Sequence, residues 1–138
     1  MPPKPMDEKK GKPDLYIDVD GVMLFLDKTE NDWLLLWIQA SRERFNRLFW
    51  LSCWTCMGNT ETLYKKHPGF KILEPITALK WNNHKTEAID WTRPFIWIED
   101  GITSEEKEIF KKKAVAGQHV WETLSGEDCE VLIGRLKP

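Results

Sequence analysis

The chain has 138 residues, a length that suits one domain built around a single continuous core. Hydrophobic residues make up 41% and charged residues 30%, with a formal net charge of −2. That balance fits a globular protein in water and argues against a general nucleic-acid-binding surface, while leaving room for a local basic patch. No stretch has the apolar length needed to span a bilayer: Leu34-Leu35-Leu36-Trp37-Ile38 is soon followed by Arg42, Glu43 and Arg44. The N-terminus lacks the hydrophobic region of a signal peptide, so a cytoplasmic location is expected. Cys53 and Cys56 form one C-x-x-C without the second pair of a zinc module, and Cys129 is distant.

Residues 1–13 are rich in proline and lysine and carry no apolar periodicity, so they are expected to form a flexible tail before a domain over 14–138. Leu15-Tyr16-Ile17 begins a buried strand that runs into Asp18-Val19-Asp20-Gly21-Val22. Alternation would put Asp18 and Asp20 on one face if the strand continued through both. Two such anions repel, and packing alone gives no reason for them; a divalent cation or a reacting phosphoryl group would.

Asp32 is expected to cap a helix to about Asn46, with Leu34, Trp37, Ile38 and Phe45 inward. Trp33 and Trp37 are expected in the core. Leu48-Phe49-Trp50-Leu51 reads as a second buried strand ending at Ser52. Asn59 or Thr60 can cap a short helix to Lys66, stopped by His67-Pro68-Gly69. Phe70-Lys71-Ile72-Leu73 reads as a short strand closed by Pro75, and Lys85 to Trp91 as a brief helix broken by Arg93-Pro94. Phe95-Ile96-Trp97-Ile98 is another apolar strand, ending in Glu99-Asp100-Gly101. Thr103 or Ser104 caps the next helix, a last strand falls within Ala114 to Val120, and Ser125 begins a final helix to about Leu136.

Strands that alternate with helices imply an α/β fold: a mostly parallel sheet with helices on both faces, a Rossmann-like three-layer α/β/α sandwich. Ligands of such sheets bind outside the carboxyl ends of the strands. Asp18 and Asp20, Ser52, and Glu99 with Asp100 all fall there, and Lys85 opens the helix before the third of these strand ends. Carboxylates can hold Mg²⁺, a lysine and a hydroxyl can hold phosphate oxygens, and one carboxylate can attack phosphorus.

The order and spacing of these residues resemble the haloacid dehalogenase-like superfamily of phosphohydrolases over most of the chain from Asp14. Asp18-Val19-Asp20-Gly21-Val22 looks like the family's D-x-D-G-hydrophobic signature. By that resemblance Asp18 is the nucleophile and a Mg²⁺ ligand. Asp20 is the general acid and base, and its backbone carbonyl touches the metal. Ser52 matches the hydroxyl that binds the transferring phosphoryl, and Lys85, favoured over Lys80, matches the lysine that offsets charge. Glu99 and Asp100 match the metal-binding acids that end the fourth motif, with Glu99 standing where a pair of aspartates is more usual. The intervals from Gly21 to Leu48 and from Gly58 to Lys85 are too short for an inserted cap domain, so the likeness is to the capless members.

The resemblance implies a Mg²⁺-dependent phosphatase acting on a phosphorylated substrate, macromolecules included, with no membrane partner. Two other readings stand beside it. One is a catalytically weak binding or regulatory module; the other is a phosphatase of nucleic-acid ends, suggested by the open site and nearby aromatic residues such as Trp54.

Overall fold

The computed structural model describes residues 11–122. Residues 1–10 of the expected tail, the final helix over Ser125 to Leu136, and Cys129 lie outside the described residues. Lys12 and Pro13 already belong to the folded body: Lys12 O accepts a bond from Arg93 at 3.2 Å, and Pro13 O accepts one from Asn46 N at 2.9 Å.

Five parallel strands form the sheet: β1 (Asp14–Ile17), β2 (Leu48–Trp50), β3 (Thr77–Ala78), β4 (Phe95–Glu99) and β5 (Gln118–Glu122), in spatial order β3-β2-β1-β4-β5. Among the described residues three α-helices accompany them: α1 (Asp32–Ala40), α2 (Glu61–Lys66) and α3 (Ser104–Lys113). None of the described helices is long and apolar enough to cross a membrane.

Alternation along the strands splits the core into two apolar clusters. Leu15, Ile17, Trp50, Ile96, Ile98 and Trp121 share one cluster with Leu34 and Ile38 of α1 and Leu63 of α2. Tyr16, Phe49, Phe95 and Trp97 form the other, against which Phe110 of α3 packs. Strands buried on both faces read as continuous apolar runs, which is how β1, β2 and β4 appear in the sequence. Trp50 and Trp97 have no exposed surface, whereas Trp33 turns outward and is 48% exposed, contrary to its expected place in the core.

Several boundaries differ from the sequence expectations. The cap of α1 is Asn31, whose side chain accepts from Leu34 N at 3.2 Å, and Asp32 sits in the first turn. The helix stops at Ala40 instead of Asn46. Ser41 N bonds both Trp37 O and Ile38 O, which tightens the last turn, and Arg42–Arg44 continue as a 3-10 turn. Arg42 then reaches across to the carbonyls of Leu73 and Pro75.

Phe70–Leu73 is not a strand. Pro68–Leu73 form a 3-10 helix in which Phe70 and Leu73, three apart, are fully buried while Lys71 and Ile72 face out. The strand that follows β2 is the two-residue β3, in register through Phe49↔Thr77 and Trp50↔Ala78. Lys85–Ala88 is likewise a 3-10 turn, shorter than the expected helix to Trp91.

At its amino end β1 is held by charge. Asp14 has no exposed surface; Arg47 donates to it at 3.2 and 2.8 Å, Asn46 donates at 2.8 Å, and Arg93 Nε makes a charge contact at 3.4 Å. The pairing ties the start of β1 to the start of β2 and to the loop before β4. Asp14→Ala is expected to cost about 2 kcal/mol of stability in urea denaturation, because the half-exposed Arg47 regains water but loses its bonds to a charged partner.

Candidate active site

The chain runs from β1 outward to β2 and β3 on one side, then returns past β1 to lay down β4 and β5 on the other. The switch point of the sheet therefore lies between the carboxyl ends of β1 and β4, the place where open parallel sheets bind ligands. β1 ends at Ile17, so Asp18 and Asp20 lie beyond the strand and its alternation does not extend to them.

Asp18 N still donates to Ile98 O at 3.1 Å, which keeps Asp18 against the end of β4. Val19, Val22, Met23 and Leu24 are fully buried and pin the turn that follows, with Val22 N and Leu24 N both donating to Val19 O at 3.1 and 2.9 Å. Gly21 is required in this turn for two reasons. Its φ is +76°, and a Cβ there would lie 2.2 Å from Asp100 Oδ2. The glycine thus admits the Asp100 carboxylate against the turn that carries Asp18.

Three sequence-selected residues meet directly. Lys85 Nζ lies 2.6 Å from Glu99 Oε2 and 3.1 Å from Asp18 Oδ1, with all three side chains largely buried. Asp100 joins them: one carboxylate oxygen each from Asp18, Glu99 and Asp100 lie within 4.8 Å of one another. Trp81 supports the lysine, its ring centroid 5.8 Å from Nζ and its indole N–H donating to Ser52 O at 3.1 Å.

Ser52 is buried at the end of β2, beside β1 through the bond from Leu51 N to Ile17 O at 2.9 Å. Its Oγ accepts from Trp54 N at 3.1 Å, which leaves the hydroxyl its own proton to donate. Asp20 stands apart from the acid group. Its side chain is 47% exposed and pairs with Lys28 Nζ at 3.2 Å. Lys80, the rival lysine, is exposed and bridges to Met57. Cys53 and Cys56 are free thiols on the turn after Ser52, and burial pushes the Cys53 thiol up.

The electrostatics are unbalanced. Burial pushes Glu99 up to about 9, and the hydrogen bond and charge of Asp18 add to this against the opposing pull of Lys85. Burial lowers the Lys85 ammonium, but Asp18 and Glu99 outweigh it and the net shift is upward. Three carboxylates cluster where one ammonium pairs with two of them, a formal −2 if all are ionised, and a proton on Glu99 relieves part of it. An all-oxygen donor set with surplus negative charge suits a hard divalent cation.

The roles of Lys28 and Trp81 carried no signal in the sequence. Each acts through a neighbour that only the fold brings close.

The Glu99 shift has a consequence for stability. Its folded value lies above its unfolded one, so the folded protein binds the extra proton between the two. The stability this one group contributes is fully present below the ordinary glutamate range near 4.5 and is lost as pH rises toward about 9. Denaturation in chelator at about pH 5 and about pH 8 is expected to show this decline in the wild type and a flatter profile in Glu99→Gln; parallel profiles would contradict the assignment.

Compared with protein-family models, with curated proteins and with solved structures, the chain gave no match, so the functional reading rests on the geometry of the site.

Proposed function

We propose that this protein is a Mg²⁺-dependent phosphohydrolase of the haloacid dehalogenase-like type, hydrolysing phosphomonoesters through a covalent phosphate on Asp18. The observation that carries the proposal is the charge surplus at the switch point, where the carboxylates of Asp18, Glu99 and Asp100 gather and Lys85 pairs with the first two. Apolar clusters against both faces of the sheet support a three-layer α/β/α sandwich, and the short intervals from Gly21 to Leu48 and from Gly58 to Lys85 support a domain without a cap.

Asp18 and Asp100 would hold the metal, with the main-chain carbonyl of Asp20, and the 2.6 Å bond from Lys85 favours Glu99 as the holder of the lysine. Mg²⁺, when bound, offsets the charge gathered on the phosphoryl oxygens and Asp18. Lys85 and the Ser52 hydroxyl bind phosphoryl oxygens and orient the phosphorus toward Asp18.

The Asp18 carboxylate attacks phosphorus while the bond to the leaving oxygen breaks, and Asp20 gives that oxygen its proton. Asp20 then takes a proton from a water that attacks the phosphorus. The Asp18–phosphate bond breaks and inorganic phosphate leaves. The exposed side chain of Asp20 suits a group that must meet both leaving group and water, and the Lys28 pair has to open for Asp20 to carry the proton. Without a cap the rim stays open, which admits phosphorylated macromolecules as well as small esters.

A panel of aryl phosphates, sugar phosphates, nucleotides and oligonucleotides phosphorylated at either end, assayed with Mg²⁺, tests the proposal. Hydrolysis of at least one class is expected, falling on the order of 10³-fold or more in Asp18→Asn. Full activity in that variant, or no hydrolysis of any class, would refute it.

A further inference from the structure

Lys85 is delivered to the site by a segment whose backbone is tied to carboxylates. The N–H groups of Asn82, Asn83 and His84 donate to the Glu87 carboxylate at 3.2, 3.2 and 3.0 Å. The next N–H, that of Lys85 itself, donates to Glu106 Oε2 at 3.0 Å. Glu87 is exposed and lies within the same turn, so it shapes the loop locally. Glu106 comes from a different element.

Glu106 is the third residue of α3 and completes a capping box: its Oε1 accepts from Thr103 N at 3.1 Å, and its N–H donates to Thr103 Oγ1 at 3.1 Å. The box needs only one carboxylate oxygen, and such a glutamate ordinarily lies at the surface. Here Glu106 is only 5% exposed, its second oxygen committed to Lys85 N. Burial of the anion is tolerable because both oxygens are bonded and the positive end of α3 faces it. The helix begins directly after the strand end that supplies Glu99 and Asp100.

We propose that Glu106 is a positioning residue for Lys85, an inference that rests on Lys85 acting at the site described above. Its carboxylate clamps the Lys85 backbone to the start of α3, so the ammonium keeps one register against Asp18 and Glu99. A lysine side chain has many rotamers and cannot hold that register from a mobile backbone, and small displacements of a charged group at a reacting centre are costly.

Two variants separate clamping from capping. Glu106→Gln is isosteric but replaces one acceptor oxygen with an amide donor. Thr103→Ala removes the cap hydroxyl and leaves both bonds accepted by Glu106. Acetylation of Lys85 by acetic anhydride, followed by mass spectrometry with the exposed Lys111 and Lys112 as internal standards, reads the protection of the ammonium without any substrate. Lys85 is expected to react slowly in the wild type and in Thr103→Ala, and roughly tenfold faster in Glu106→Gln, the loss expected for one bond to a charged group.

Glu106→Asp, which keeps the charge but shortens the reach, gives the same readout if the glutamine variant fails to fold. With a substrate identified, kcat is expected to fall in Glu106→Gln and to stay unchanged in Thr103→Ala. Equal Lys85 protection in all variants, or equal exposure in Thr103→Ala and Glu106→Gln, would make Glu106 a helix cap and nothing more. A wild type that hydrolyses nothing would defeat the phosphohydrolase proposal, while the acetylation rates would still decide the clamp.

Discussion

The ammonium of Lys85 holds the carboxyl ends of β1 and β4 together at the level of their side chains. Asp18 and Glu99 are nearly inaccessible to water, 4% and 3% exposed; Glu99 ends β4 and Asp18 directly follows β1, its parallel neighbour. Burying either alone as an anion would cost several kcal/mol. One lysine from a third segment reaches both, and the proton favoured on Glu99 relieves what the lysine leaves. The turn after β1, the close approach of Asp100 to Gly21 and the placing of Trp81 are all arranged around that contact.

The two ends of β1 show why this cluster reads as functional. Each carries a buried aspartate. At the amino end, Asp14 is matched by Arg47, Arg93 and Asn46, in an arrangement that leaves its charge answered. At the carboxyl end Asp18 shares one lysine with Glu99 and has Asp100 close by. The same residue type has its charge answered at one end of β1 and only partly answered just beyond the other. The sheet order reinforces the distinction, because the underpaired end lies at the switch point.

The sequence made the strands and their acidic ends legible because continuous apolar runs bounded by polar residues have few alternative readings. Leu15–Ile17, Leu48–Leu51 and Phe95–Ile98 all sit in or directly beside a strand. Phe70–Leu73 misled because a buried 3-10 turn and a short buried strand share the same local composition, and spacing over four residues cannot separate them. The short β3 was illegible, since Thr77–Ala78 is a strand only through pairing with β2. At the site, Asp18, Lys85, Glu99 and Asp100 could be selected from order and chemistry. The second bond of Glu106 could not, because the capping box accounts for the residue completely until the fold brings Lys85 N beside it.

The central claim, that the underpaired Asp18 is an attacking carboxylate, is tested most directly by trapping it. Wild-type protein incubated with Mg²⁺ and a fast-leaving aryl phosphate, quenched in acid and digested, should carry a phosphoryl group on the peptide containing Asp18. That group should be released by hydroxylamine, as an acyl phosphate is, and no such adduct should form without Mg²⁺. Turnover with no phosphoryl adduct on that peptide, or with the adduct on another residue, would contradict the account.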